Sequence, residues 1–499
     1  MNRVKNFLEN IIPCILIVVM MFLLFLNNTK ENLWYPEILS LNYSRLNTTE
    51  LIRSMNPGTP PLYYIIIKTV IRLSGSSPSV PRFFSAFCTC LLALILFLSV
   101  KKMFNSKMAY TACIFFLWNP ITISNAREIT CYSFAALIFY CALISFYFAL
   151  QAKTCKYWVF YGFFLQAGLY THYTAFYIIF ITSTCLVIYI KWKKTGKGDH
   201  TGKSLRCYLV TTAIVLLFFL PLIPGLLKNM KFLPLFSSHD LPGIDIPFNI
   251  VAYLFSSKFG YSLVPVIPAS YMALFLLIII FFNTYPQIRH RVDLYKYCWM
   301  LAGIIIPVVL TLLFSLLFFP VIHYRNFFLF FPFLILLLAR SFHLMKNEYL
   351  KVLLQVLLLL ILGLIIYQTC TLPQNGPGDA MVEYMQEHSN SNEPVIAGDK
   401  VSFLPLYHFL PGNENIYLYS RYKLPDNIFF HGTDKTMTEI NALIMKSDSF
   451  WLVCTPWNDD ILFDALECTI PEFELLTPEK IFYSKWSWIR FKVLHFIKK

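Results

Sequence analysis

Apolar runs long enough to cross a bilayer recur from the N-terminus to about residue 370, and no other feature constrains this chain's fold as tightly. Stretches such as 11–26, 83–100 and 352–366 approach or reach the length of about 20 residues that carries a helix across a hydrocarbon core of roughly 30 Å. Lipid offers the backbone no hydrogen bonds, so such a run must close its own as a helix. A membrane barrel would show short alternating segments instead. Composition agrees: 57% of the 499 residues are hydrophobic and 14% are charged, whereas a soluble domain carries roughly a quarter charged residues. The expected architecture is an all-α polytopic membrane domain of about eleven transmembrane helices, followed by a small C-terminal α/β domain.

The spans are expected near 9–27, 82–100, 108–125, 131–150, 157–172, 174–191, 208–227, 268–285, 297–320, 326–342 and 352–369. Arg3 and Lys5 before the first run suggest a signal peptide. However, Asn27-Asn28-Thr29-Lys30 lacks a small-x-small cleavage site and the apolar stretch exceeds a signal core, so the segment is expected to stay as a span. With these spans, alternate loops collect the basic residues, among them Lys101, Lys102, Lys193, Lys194, Arg289 and Arg291. By the positive-inside rule those loops and the N-terminus are cytoplasmic, and the tail after residue 370 lies outside. The formal net charge of +14 therefore reads as membrane orientation. Its residues form no continuous basic face, so no nucleic-acid partner is expected. The cysteines are mostly scattered within spans, as at Cys88, Cys113 and Cys141, without paired zinc-site spacing, and read as packing residues. No metal or other cofactor is expected. Cys454 and Cys468 are a candidate disulfide in the tail.

Two outer loops, 28–81 and 228–267, are too long to be mere connectors. In the first, Thr48-Thr49-Glu50 marks a helix start. The stretch Leu62 to Leu73 is too short to span and carries Lys68 and Arg72, so an interfacial or re-entrant helix is expected there. The transmembrane domain is placed at 1–371. A linker rich in Pro and Gly then opens an extracytoplasmic domain at 372–499, where helix-like and strand-like segments alternate: 379–388, 394–397, 403–409, 416–419, 437–445 and 450–453.

The outer turns gather groups with chemistry. Glu37 follows the first span closely; partial desolvation there would raise its carboxyl pKa toward general-base use, although a solvated loop glutamate is the plainer reading. Arg127 and Glu128 sit at the next outer turn, where arginine can hold a phosphate through parallel donors or simply snorkel beside its own glutamate. His172, flanked by Tyr170 and Tyr173, offers a donor to a phosphate or sugar oxygen, or packs. Arg325, at the outer start of a late span, meets an anion or a lipid headgroup. Their shared side of the membrane fits an outward-facing site of an enzyme or of a transporter equally well.

Several short motifs separate those readings. Leu33-Trp34-Tyr35-Pro36-Glu37, Thr59-Pro60-Pro61-Leu62-Tyr63-Tyr64, Glu128-Ile129-Thr130-Cys131-Tyr132-Ser133, Tyr170-Thr171-His172-Tyr173 and Arg325-Asn326 follow the order and approximate spacing of a family pattern across 1–370. The chain resembles the GT-C superfamily of membrane glycosyltransferases, specifically bacterial relatives of the dolichyl-phosphate-mannose protein mannosyltransferases. The resemblance implies a GT-C fold and transfer of a sugar from a polyprenyl-phosphate-linked donor to a protein, lipid or glycan acceptor at the outer face of the cytoplasmic membrane. It implies a carboxylate base in the first motif, where Glu37 is the nearest acid and the expected catalytic base, with Arg127, Glu128, His172, Tyr173 and Arg325 expected to bind donor phosphate or sugar, the cations among them facing the departing phosphate. The sequence departs from the pattern where the family's base aspartate is Pro36, its histidine is Thr59 and its arginine is Thr130; Arg127 is the expected substitute for the last. A transporter or lipid flippase, and an inactive relative that binds lipid-linked sugar, are the competing readings. The nearly charge-free spans disfavour the transporter, and Pro36 is what keeps the inactive relative in play.

Overall fold

The computed structural model describes residues 33, 35–53, 60–75, 77–152, 154–193, 201–230, 250–251, 253–255, 266–289, 294–318, 324–371, 378–388, 393–410, 415–419, 434–455, 472–476, 480–483 and 490–499. The expected first span, Trp34, Thr59, Cys468, the 372–377 linker and most of the 228–267 loop lie outside them. The chain forms two compact units: Met1–Asn28 with Met55–Thr369, and Thr29–Ser54 with Cys370–Lys499.

Two helices of the long segment 28–81, α1 (Tyr35–Arg45) and α2 (Thr48–Arg53), fall in the second unit. Asn47 starts α2 as a reciprocal cap: its Oδ1 accepts from the Glu50 backbone N–H at 2.8 Å, and Glu50 Oε2 accepts from the Asn47 N–H at 3.2 Å.

The membrane unit begins with α3 (Leu62–Ser74), the short amphipathic helix expected there. It continues through α4 (Ser79–Met103), α5 (Ser106–Leu117), α6 (Pro120–Ala126), α7 (Tyr132–Gln151), α8 (Lys156–Leu169) and α9 (Phe176–Lys193). Then come α10 (Thr201–Phe219), α11 (Ile223–Met230), α12 (Val266–Arg289), α13 (Leu294–Leu317), α14 (Phe331–Leu344) and α15 (Glu348–Thr371). Every expected span other than the first overlaps these helices, although 108–125 and 208–227 are each divided between two of them. Among the described residues, 7 helical stretches are long and apolar enough to cross a membrane, and α5 is a shorter apolar helix. The protein is a multi-pass membrane protein. In α7 the most apolar window is 89% buried against 17% in α15, so α7 is the central post and α15 faces lipid. The expected span 108–125 breaks into α5 and α6 because Pro120 has no N–H to continue a helix, while Asn119 Oδ1 accepts from Ile121 N–H at 3.0 Å and starts a new one.

The C-terminal unit contains α16 (Gly378–His388), β1 (Val395–Ala397), α17 (Lys400–Phe409), β2 (Ile416–Tyr419), β3 (Asp434–Lys435), α18 (Met437–Ile444), β4 (Ser449–Cys454), β5 (Phe473–Leu475), β6 (Lys480–Tyr483) and β7 (Arg490–Lys498). The sheet order is β3-β2-β1-β4-β7-β5, with β6 also on β7. The first four of these strands are parallel, and β7 pairs antiparallel with β4. Ile396, Phe450, Leu452, Leu494 and Phe496 fill the core beneath α18. Cys454 is buried in that core, and its candidate disulfide partner Cys468 lies outside the described residues.

Candidate active site

The turn joining α6 to α7 carries Arg127 and Glu128, and hydroxyls from the neighbouring helices hold it in place. Ser85 Oγ of α4 donates to the Glu128 carbonyl at 2.7 Å. Ser133 Oγ of α7 donates to the Asn125 carbonyl at 2.9 Å and lies 3.1 Å from the Thr89 hydroxyl. A turn tied to two packed helices presents its side chains from a rigid base, as a site that must fix charge requires.

From this turn the Glu128 carboxylate meets Arg325, the second residue of a 3₁₀ turn (Tyr324–Phe330) that leads into α14. Arg325 Nη1 is 2.6 Å from Oε2 and Nη2 is 3.3 Å from Oε1, so the guanidinium grips the carboxylate with both prongs. Ser124 Oγ donates to Oε1 at 3.3 Å. Glu128 is 8% exposed. Pairing offsets the burial of both charges and fixes the arginine's plane, and a guanidinium with five N–H donors keeps others beyond the fork. Tyr253 lies against Arg325; burial pushes its hydroxyl above the ordinary range, and the arginine's charge opposes that rise.

His172 opens the turn after α8. Its Nδ1 accepts from the Thr174 N–H at 3.3 Å and is 2.8 Å from Thr174 Oγ1. Its ring packs on Tyr132, 5.8 Å between centroids, at the start of α7. Burial pushes the His172 pKa down to about 4. The ring is therefore neutral near pH 7. With Nδ1 accepting, the remaining proton sits on Nε2, so His172 is a neutral donor and not the cation expected from the sequence. The adjoining Tyr170 carbonyl accepts from Leu62 N–H at 2.9 Å, which joins the Pro-Pro-Leu-Tyr-Tyr motif at the head of α3 to the Tyr-Thr-His-Tyr turn. The Tyr173 hydroxyl is buried without a hydrogen-bond partner among the described residues.

Arg127 caps α6 and is 4% exposed. Glu37 belongs to the other unit, in the first turn of α1, and is fully buried. Pro36 fits beside it because the first turn of a helix needs no N–H from that residue, and its carbonyl accepts from Ser40 Oγ at 2.8 Å. The membrane unit thus brings Glu128 and Arg325 into direct contact and sets His172 against α7. Three further residues were not evident from the sequence. Tyr132 and Tyr253 look like two of many interfacial tyrosines, and Arg82, 1% exposed in the first turn of α4, looks like a snorkelling span-end arginine. Among the described residues no three His, Cys, Asp or Glu gather as metal ligands.

Comparison with known proteins adds an independent view of this arrangement. The family model described as dolichyl-phosphate-mannose-protein mannosyltransferase matches residues 58–224, the stretch holding the Pro-Pro motif, the Arg127–Glu128 turn and His172. No curated protein matches the sequence. The crystal structure of ArnT from Cupriavidus metallidurans, in the apo state and bound to undecaprenyl phosphate, superposes at TM-score 0.59 and 12% identity, covering 97% of each chain. The chain has the GT-C fold. That GT-C fold is shared, more distantly, with the Archaeoglobus fulgidus oligosaccharyltransferase AglB, solved with an inhibitory peptide and a dolichol-phosphate. This match has TM-score 0.52 at 11% identity and covers 92% of this chain and 71% of that one.

Proposed function

We propose that the protein is a glycosyltransferase that moves a sugar from a polyprenyl-phosphate-linked donor onto a hydroxyl-bearing acceptor at the outer face of the cytoplasmic membrane. The observation that carries this reading is the partly buried Glu128–Arg325 fork, set in a fold shared with a protein solved with undecaprenyl phosphate bound. In the proposed reaction Glu37 takes the acceptor's proton as the acceptor oxygen attacks the anomeric carbon. The bond from that carbon to the donor phosphate oxygen breaks, and negative charge collects on the departing lipid phosphate. Arg325, oriented by Glu128, and Arg127 stabilise that charge where it develops, which is the kind of interaction that lowers a barrier most. His172 adds a neutral Nε2–H donor to a phosphate or sugar oxygen, and Tyr173 adds a hydroxyl.

The acting face follows from charge: basic loops inside, Glu37 and the tail outside. Reporter fusions at Gly198 and Pro377 test this, with opposite sides expected; the same side for both would remove the proposed face. For activity, purified protein is incubated with a panel of tritiated undecaprenyl-phosphate hexoses and an envelope extract. Label moving onto an acceptor supports the reading. Flipping of the intact lipid in vesicles would favour a transporter. Pro36, at the position of the family's acid, favours one further reading, a relative that binds the lipid-linked sugar without transferring it, and binding alone would support it.

A further inference from the structure

Strand order in the C-terminal sheet reverses at β1, which has β2 on one side and β4 on the other, both parallel to it. In open parallel sheets the crevice beyond the carboxyl ends of the strands at such a reversal is the usual seat of a ligand. Here the two strand ends are tied together. Asp399, just past β1, accepts through Oδ2 from both the Thr455 N–H at 2.9 Å and the Thr455 hydroxyl at 2.7 Å, just past β4. Through Oδ1 it accepts from Ser402 N–H at 2.9 Å and so caps α17.

The segment packed on α17 is not a ligand but the chain's own α1, more than 350 residues earlier in sequence. The two helices pack against each other within the same compact unit, with Asp399 at the start of α17 acting on the Tyr35 hydroxyl at the start of α1. Burial first, and Asp399 second, push the Tyr35 hydroxyl up to about 12, so it keeps its proton at any working pH. With 11 residues, α1 is shorter than the roughly 12–15 at which an isolated helix becomes even marginally stable in water. Its conformation depends on what it packs against.

We propose that α17, capped by Asp399, is the mount that fixes α1, and that Asp399 and Tyr35 are positioning residues for Glu37, in the first turn of α1. This rests on the reading of Glu37 as the base. Asp399→Asn and Tyr35→Phe in the full-length protein separate the possibilities. Hydrogen exchange is expected to quicken several-fold over 35–45 and stay unchanged over 132–151. Transfer from a tritiated undecaprenyl-phosphate hexose should fall about 10- to 100-fold with the Kd for that lipid unchanged. In a Glu37→Gln background neither substitution should reduce the residual rate further. Unchanged exchange over 35–45 in both variants overturns the mount, and an undiminished further loss in the Glu37→Gln background overturns the positioning role. If Asp399→Asn fails to fold, Tyr35→Phe decides by the same criteria. Wild-type transfer by Glu37→Gln alone would remove the base reading and the positioning role with it, while exchange over 35–45 would still decide the mount.

Discussion

Glu128 and Arg325 show why a partly buried charged pair is costly to disturb. Removing one partner leaves the other charge buried and uncompensated, a loss of about 3–5 kcal/mol in comparable sites. Glu128→Gln should therefore lower the thermal stability of the purified protein, whereas a symmetric exchange of the two residues should recover part of it; melting in detergent measures both. His172 behaves differently because its ordinary pKa of 6.5 is brought down to about 4 by burial. The unfolded chain binds that proton more readily, so stability contributed here is present above about pH 6.5 and is lost as pH falls toward 4. His172→Gln should show a smaller drop in melting temperature between pH 7 and pH 4.5 than the wild type, and an equal drop would contradict the neutral ring. The sequence placed Arg127, Glu128, His172 and Arg325 at outer turns, but it could not pair them. A fork between residues nearly two hundred positions apart depends on how α7 and α14 pack, and the suppressed charge of His172 depends on burial that no local pattern encodes.

At the scale of elements, hydropathy was enough to find helices because lipid allows little else, and its errors have local causes. Asn119-Pro120 split one expected span, and α8, at 14 residues, ends earlier than its apolar run because Tyr170 and Thr171 turn the chain. In the tail, the segments read as strands became β1, β2 and β4, all flanked by turn residues. The remaining strands were missed: β3, at 2 residues, is too short to show a period, β5 and β6 are defined by pairing with β7, and the mixed pattern of β7, Arg490-Phe491-Lys492-Val493-Leu494-His495, is decided by pairing with β4. Contact between α13 and α14 gives a prediction of its own. A Cβ at Gly303 would fall on the Phe333 ring, which also packs edge-on against Trp299 at 4.7 Å between centroids. Gly303→Leu should push these helices apart at a cost of about 1–3 kcal/mol or more, read as a lower melting temperature. Gly202→Leu, where nothing lies within 4 Å of an added Cβ, should leave it unchanged.

At the scale of the whole molecule the candidate residues are distributed over the two compact units: the first holds Arg127, Glu128, His172 and Arg325, and the second holds Glu37 on α1, which packs against α17. The resemblance read from five short motifs agrees with the fold found over 97% of the chain, although identity is only 12%. Least legible from sequence was that the first long loop folds with the tail, a contact between segments separated by the entire membrane domain. The central claim is sugar transfer with Glu37 as base, and single-turnover transfer of label from a tritiated undecaprenyl-phosphate hexose by the wild type and by Glu37→Gln tests it most directly. The account predicts transfer by the wild type and a loss of at least about 10²-fold in the variant, with binding of the lipid preserved. A variant as active as the wild type, or a wild type that binds the lipid and transfers nothing to any acceptor, would contradict it.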